Sequence, residues 1–303
     1  MTQSALWRSF VWQVTLCCSL VAFGGENEQQ VCPKNPGSFA EVQKKAQQNG
    51  PESQARLASC YELGRHVKPS RAETIHWLTL AAEQEYAPAQ RELGRIYLYG
   101  RGIPADYRQA LLWEKKAAQQ GNASAQRDLA FIYERGLGVQ PDSREAALWN
   151  RKAAEQGEPQ AQLHLAETLE PENTAEAKLW YLKAAKQNLS AAQLRLAQLS
   201  AKDGRETCTT ALAWYNKAAG NGEPQAMYAL GVLYRTTCGP DISRAFRWFR
   251  IAARFGLAEG QAQADQLSSS LTQAQEKEIE LAISRWISKH SAAQKDDDEE
   301  EER

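Results

Sequence analysis

The stretch AALWNRKAAEQGEPQAQ, residues 146–162 of this 303-residue chain, carries the pattern that decides the fold. Its Trp is followed by Lys-Ala-Ala and then by Gly157, a residue type that ends helices in a left-handed conformation without a steric penalty. Close relatives of the phrase recur along the chain. The Trp residues that mark the six copies are Trp77, Trp113, Trp149, Trp180, Trp214 and Trp248. Their intervals of 36, 36, 31, 34 and 34 residues indicate a repeat protein.

A second helical phrase precedes each of the last five Trp copies. In AQRELGRIYLYGRG, Ala89, Leu93, Ile96 and Tyr97 recur at a spacing that places them on one stripe of a helix. The sixth position of this phrase is Gly or Ala in every copy, which lets a neighbouring helix approach closely. Each unit is therefore predicted to be a helix-turn-helix hairpin. Because one hairpin has too little core to be stable alone, we expect an all-α, superhelical α/α solenoid of stacked units.

Two of the copies carry a family resemblance. LGRIYLYGRGIPADYRQALLWEKKAAQQGN, residues 93–122, and LAFIYERGLGVQPDSREAALWNRKAAEQGE, residues 129–158, closely resemble Sel1-like repeats, which are relatives of the tetratricopeptide repeat. The resemblance is specific over 93–157 and looser over 54–257. We therefore expect six Sel1-like repeats over 51–257. Their approximate bounds are 51–86, 87–122, 123–158, 159–189, 190–223 and 224–257.

The segments next to the repeats are expected to cap the solenoid. Residues 25–50 and 258–290 contain amphipathic phrases that we interpret as terminal capping helices. Residues 291–303 include seven consecutive acidic residues, Asp296 to Glu302. Such a run of like charges predicts a disordered acidic tail.

Residues 1–24 are typical of a secretory signal peptide. Arg8 precedes an almost purely apolar run of 14 residues, Phe10 to Phe23, which is shorter than a membrane span of about 20 residues. We therefore predict export to the periplasm of a bacterium, with secretion as an alternative and lipid anchoring at Cys17 or Cys18 as another. The mature chain is expected to have no integral membrane span.

Four cysteines remain after the predicted signal peptide, Cys32, Cys60, Cys208 and Cys238. An even number in an exported protein indicates disulfides, and four cysteines allow three pairings. In stacked antiparallel helices, the start of the second helix of one unit lies beside the end of the first helix of the next unit. This rule favours Cys32 with Cys60 and Cys208 with Cys238.

The sequence offers little for catalysis or metal binding. It contains no GxSxG, HExxH or phosphate-loop motif, and no His stands at metal-ligand spacing from a Cys. The formal net charge of −1 disfavours a nucleic-acid partner. We therefore predict no catalytic residue, no metal and no cofactor.

The candidate binding residues lie on the first helix of each unit, opposite the apolar stripe, where they are expected to face solvent. They are Arg91, Arg95, Arg127, Phe131, Leu163, Leu194, Tyr228 and Val232. Tetratricopeptide-like proteins bind peptides on the surface formed by these helices, and contiguous exposed apolar residues mark interaction sites. The alternative is that neighbouring helices of a tightly wound solenoid cover these positions.

The resemblance implies a non-enzymatic, monomeric scaffold or adaptor of the bacterial cell envelope that binds a partner protein or peptide. It leaves two other functions open. One is a penicillin-binding or β-lactamase-like enzyme, an activity ascribed to some family members. The other is a secreted host-interaction (virulence) factor.

Overall fold

The computed structural model describes residues 31–202 and 208–302, and side chains as far as residue 290. The predicted signal peptide, residues 1–24, lies outside the described residues. Within them the secondary structure is entirely helical, without a β-strand. The predicted all-α solenoid of helix hairpins is confirmed, since consecutive helices pack in pairs along the chain.

Fifteen helices make up the described part of the chain. They are α1 (Pro36–Gln47), α2 (Pro51–Leu63), α3 (Arg71–Glu83), α4 (Ala87–Tyr99), α5 (Tyr107–Gln119), α6 (Ala123–Arg135), α7 (Ser143–Glu155), α8 (Pro159–Leu169), α9 (Thr174–Lys186), α10 (Ser190–Lys202), α11 (Cys208–Gly220), α12 (Pro224–Thr236), α13 (Ile242–Arg254), α14 (Ala258–Ser268) and α15 (Gln273–Glu302). The bounds of α15 include the acidic run that was expected to be a disordered tail.

The chain divides into two compact units. Of the described residues, the first unit holds those up to Ala125 together with Arg135–Pro141, and the second holds Gln126–Glu134 together with those from Asp142 onward. The helix α6 therefore contributes residues to both units. Each unit has its own buried apolar clusters, one of them around Leu93 in the first unit and another around Tyr181 in the second.

Local signals explain where the helices begin and end. Asp106 starts α5 by accepting hydrogen bonds at Oδ1 from the backbone N–H groups of Arg108 and Gln109, at 3.0 and 3.1 Å. Asp142 does the same for α7. The end of α4 is Gly100, whose φ of 63° lies in the left-handed region that favours glycine. The turns inside the hairpins are thus set by Asp and Gly residues visible in the sequence.

The alanine pairs of the Trp-x-x-Lys-Ala-Ala phrase are the most deeply buried part of each second helix. Ala153 and Ala154 in α7 are 0% and 1% exposed, and the equivalent pairs are also buried in the other repeats except the sixth, where Ala252 is buried and Ala253 is half-buried. The Trp itself is only half-buried in four of the six copies, Trp149 among them. In α7 the ammonium of Lys152 lies 3.9 Å from the centre of the Trp149 ring and covers it.

The small sixth position of the first helices makes room for the residue that follows the Trp. A Cβ atom added at Gly231 would lie 2.6 Å from the ring of Phe249, closer than real Cβ contacts allow. Phe249 is completely buried. The predicted close approach of neighbouring helices therefore occurs at this position.

Buried glutamines link successive helices within each unit. Gln162 in α8 is 4% exposed; its Nε2 donates to the Ala154 carbonyl at the end of α7 at 3.1 Å, and its Oε1 accepts from Gln187 after α9 at 3.0 Å. The same position carries Gln54, Gln90, Gln126 and Gln193, which accept from Gln84, Gln120, Gln156 and Asn221 respectively. We call this repeated set of bonds the amide ladder.

Both disulfides of the predicted pairing are present. Cys32 is bonded to Cys60 and Cys208 to Cys238, with Cα atoms 4.9 and 5.8 Å apart. The first bridge joins the segment before α1 to α2, and the second joins the start of α11 to the turn after α12. Loops of about 30 residues closed in this way are worth roughly 3 to 4 kcal/mol on the chain-entropy account.

Replacing Gln162 by Ala should lower the free energy of unfolding by about 1 to 3 kcal/mol, because the Ala154 carbonyl and one N–H of Gln187 lose their buried partner. Urea unfolding followed by circular dichroism would measure the change. Gln160→Ala is the matched control, since Gln160 lies two residues away on the exposed side of α8. Equal effects of the two substitutions would contradict a stabilising role for the amide ladder.

Candidate protein-interaction surface

In the second unit, apolar side chains occur one after another on the first helices of successive repeats. Phe131 is 38% exposed, and Leu163, Leu194, Tyr228 and Val232 are half-buried. Leu163 packs against the cluster around Tyr181, and Leu194, Tyr228 and Val232 against the cluster that contains Phe249. The side chains of Leu163, Leu194, Tyr228 and Val232 are therefore fixed by the core on one side while part of each remains accessible. We call these five residues the apolar row.

The candidate residues of the first unit are not accessible in the same way. Arg91 and Arg95 are each 8% exposed, contrary to the expectation that they face solvent. Eight of the thirteen residues of α4 are buried. Neighbouring helices therefore cover residues beyond the apolar stripe of α4, Arg91 and Arg95 among them. Glu92 lies 3.7 Å from the Arg95 guanidinium and 3.5 Å from that of Arg101. The alternative that neighbouring helices cover the candidate positions therefore holds for α4.

Arg127 belongs to an ion-pair network next to the apolar row. Its Nη1 lies 2.7 Å from Glu158 Oε1 and its Nη2 lies 2.7 Å from Asp128 Oδ1. Both carboxylates are more than nine-tenths buried. Glu158 also accepts a 2.6 Å hydrogen bond from the backbone N–H of Ala161 and so caps α8. The guanidinium of Arg127 is thus held by the fold, which gives this residue a structural role.

A second polar cluster lies at the irregular fourth repeat. Glu170 follows α8 and accepts hydrogen bonds from Tyr181 Oη at 2.8 Å and from Arg195 Nε at 2.8 Å. Arg195 Nη2 also bonds the second carboxylate oxygen, and Arg195 Nη1 donates to Gln198 at 2.8 Å. Tyr181 is completely buried. The cluster connects the turn after α8 to α9 and α10.

The electrostatics of this cluster follow from its contacts. The hydrogen bonds from Arg195 are the main reason that the pKa of Glu170 lies below its ordinary value of 4.5, against the opposing effect of burial. Burial, and next the hydrogen bond to Glu170, raise the pKa of the Tyr181 phenol above its usual range. Glu170 is therefore ionised and Tyr181 is neutral at physiological pH.

Sequence reasoning did not find the cluster of Glu170, Tyr181 and Arg195. A signal was available, because the fourth unit lacks the Gly-x-Gly turn and is shortened there to LEPENTAEAK, residues 169–178. That signal does not identify the partners, since Glu170 and Arg195 are 25 residues apart and meet only in the folded chain.

The helix hairpins place the chain among the all-α repeat proteins, and comparison with known families identifies which kind. The Sel1 repeat model matches residues 51–86, 87–122, 123–158, 159–189, 190–223 and 224–256, which is more than half of the chain. The chain therefore belongs to the Sel1 repeat family, as the resemblance indicated. Proteins built from Sel1 repeats commonly act as protein-interaction scaffolds and are typically non-catalytic.

The solved structures that are similar to this chain include two at 28% identity or more. One is c5321, described as a protective antigen present in uropathogenic Escherichia coli strains, with 30% identity and a TM-score of 0.70 over 84% of this chain and 57% of that chain. This chain thus spans little more than half the length of that structure. The other is a Sel1 repeat protein from Oxalobacter formigenes, with 28% identity and a TM-score of 0.57 over 71% of this chain and 94% of that chain. No curated protein matches the chain.

These comparisons bear on the alternatives for function. Neither the family match nor the two structures supports the penicillin-binding or β-lactamase-like alternative.

Among the helices of the described residues, none has the length and apolar character needed to cross a membrane.

Lowering the pH should weaken the fold through Glu170. Its folded pKa lies below the ordinary value, so the ionised carboxylate stabilises the fold at neutral pH, and this contribution is lost as the pH falls from about 4.5 through the lower folded value. Glu170→Gln should lower the free energy of unfolding at pH 7 and reduce its dependence on pH in the acidic range. Unfolding curves at several pH values would measure both effects. Glu172→Gln, at an exposed position two residues away, should leave the pH dependence unchanged.

Proposed function

We propose that this chain is a non-enzymatic scaffold that binds a partner protein or peptide on the apolar row of the second unit. The observation that carries the proposal is the row itself. Leu163, Leu194, Tyr228 and Val232 are packed against the core on one side and accessible on the other, and Phe131 is 38% exposed. Preorganised apolar side chains suit a binding surface because little conformational entropy is lost on binding.

The other candidate residues have a supporting role in this proposal. Arg127 forms an ion pair with Glu158, which caps the start of α8. Arg91 and Arg95 are buried within the first unit. Binding is therefore assigned mainly to apolar contact, with aromatic side chains such as Phe131 and Tyr228 as the strongest anchors.

We place this scaffold in the bacterial cell envelope and expect it to be a monomer. Two observations support export, the apolar run in residues 10–23 and the two disulfides of the folded chain, which form and persist in oxidising compartments. We propose a periplasmic location in preference to release from the cell.

Site-specific photo-crosslinking tests where a partner binds. A benzophenone amino acid at Leu163 or Leu194 should give the same crosslinked protein from an envelope extract. The same amino acid at Leu281, which is 53% exposed on α15, should not give that product. Crosslinking of the partner from Leu281 alone would contradict the proposal.

The double substitution Phe131→Ala and Leu194→Ala should weaken the affinity for the crosslinked partner by about tenfold or more, the loss that follows when apolar anchors are truncated. Isothermal titration calorimetry with the purified partner would measure the affinity, at a temperature well below the midpoint of thermal unfolding of the variant. Leu281→Ala serves as the control for loss of an exposed leucine. An affinity equal to that of the unaltered chain would show that the apolar row is not the site.

A further inference from the structure

The second helices of three successive repeats in the second unit form a surface that the proposed function does not use. The C-terminal ends of α7, α9 and α11 are joined by hydrogen bonds. Gln187 Nε2 donates to the Gly157 carbonyl at 2.8 Å, and Asn221 Nδ2 donates to the Asn188 carbonyl at 3.3 Å. The three helix ends therefore lie side by side in one layer. We call the exposed side of α7, α9 and α11 the outer face.

Exposed leucines lie at the centre of the outer face. Leu148 in α7 is 47% exposed and Leu179 in α9 is 61% exposed, the highest value among the large apolar side chains of the described residues. Both stand directly before the repeated Trp, at equivalent positions of consecutive repeats. About half of the Leu148 side chain and more than half of the Leu179 side chain therefore remain accessible in the folded repeats.

Positive charge surrounds these leucines. Residues three or four positions apart on a helix share a face. Leu148 therefore shares its face with Arg144, Arg151 and Lys152, and Leu179 shares its face with Lys183. With Lys186 in α9 and Lys217 in α11, the exposed cations on these three helices number six, against one exposed carboxylate, Glu155.

The other two carboxylates of these helices are engaged locally. Glu145 Oε2 accepts from the indole N–H of Trp149 at 2.9 Å, and Glu176 Oε2 accepts from Asn173 at 3.1 Å. Both residues are half-buried. The outer face is therefore strongly cationic, although the chain as a whole has a formal net charge of −1.

We propose that the outer face is a docking surface for an anionic lipid bilayer. Lysine and arginine side chains attract acidic headgroups, while exposed leucines insert into the boundary between headgroups and acyl chains. A purely charged partner such as nucleic acid or an acidic polymer would use the cations but not the leucines. The pairing of protruding leucines with surrounding cations is the observation that favours a bilayer.

The arrangement predicts a peripheral and reversible interaction. Each lysine or arginine near an anionic membrane adds modestly to binding, and the attraction decreases within a Debye length as salt is raised. The outer face and the apolar row consist of different residues on different helices. The second helices would thus hold the scaffold at a membrane while the first helices bind a partner, so this inference goes beyond the proposed function.

Vesicle co-sedimentation tests the inference. The chain from residue 25 onward is used, because the apolar run at residues 10–23 would itself bind lipid and none of the described residues is removed. Vesicles of phosphatidylcholine alone are compared with vesicles of equal parts phosphatidylcholine and phosphatidylglycerol. The chain should sediment with the anionic vesicles at low salt, remain in solution with the neutral ones, and dissociate as salt is raised.

Two double variants separate the contributions of charge and leucine. Lys152→Glu with Lys183→Glu should lower partitioning onto anionic vesicles by at least about tenfold, and Leu148→Ser with Leu179→Ser by about tenfold. The matched controls are Lys44→Glu with Lys68→Glu, which changes the net charge equally at exposed positions of the first unit, and Leu281→Ser. The positions substituted in all four variants are exposed, and thermal melting checks that each variant is folded.

The outcomes discriminate among the partner classes. Loss of binding in both test variants, with both controls unaffected, supports the inference. Absence of sedimentation with anionic vesicles at low salt overturns it, as does equal loss in test and control variants. Soluble polyglutamate provides a further arm: if it is bound as tightly as the vesicles, and the serine variants bind normally, the face recognises acidic polymers and the bilayer assignment is wrong. Crosslinking of a protein from Leu163 is independent of every one of these results.

Discussion

The structure depends on the need of each helix hairpin to bury its apolar side against the next one. A hairpin of two thirteen-residue helices, such as α4 and α5, has no interior of its own, and repeat folds solve this by stacking. The alanine pair of the second helix and the Gly or Ala of the first helix allow that stacking to be close. Where the sixth position is Gly231, the ring of Phe249 occupies the space that a side chain would need. The small residues thus set the distance between helices, and the larger ones fill what remains.

Close packing creates a second requirement, because it also buries polar backbone groups at the helix ends. The amide ladder meets this requirement with one glutamine in each of the first five repeats. Gln162 donates to the Ala154 carbonyl in the last turn of α7 and so pairs that backbone group, while its own side-chain oxygen accepts from Gln187. The ladder changes where the repeats change: the sixth repeat has Met227 at this position, completely buried among apolar residues. Close packing and the pairing of buried backbone groups are therefore provided by different residues of the same repeat.

Function is to be sought where copies of the repeat differ. At one position of the first helix, successive repeats carry Arg91, Arg127, Leu163, Leu194 and Tyr228, and this variation converts a buried or ion-paired surface into an accessible apolar one. On the second helices the residue before the Trp also varies, and in chain order it is His76, Leu112, Leu148, Leu179, Ala213 and Arg247. The cluster of Glu170, Tyr181 and Arg195 joins the hairpin of α8 and α9, where the Gly-x-Gly turn is missing, to α10 of the next repeat.

The repeat, the helices, the turns and the disulfide pairing can be predicted from the amino-acid sequence, because they depend on periodicity and on residues close in the chain or at equivalent positions of neighbouring units. Which candidate residues are accessible becomes visible in the folded chain alone. Arg95 and Phe131 occupy the same position of consecutive repeats, yet one is 8% exposed and the other 38%. Likewise, Glu170 and Arg195 are unremarkable in the sequence until the fold brings them into contact. The physical reason is that exposure and ion pairing depend on how neighbouring hairpins pack, which the spacing of residues within one hairpin does not specify.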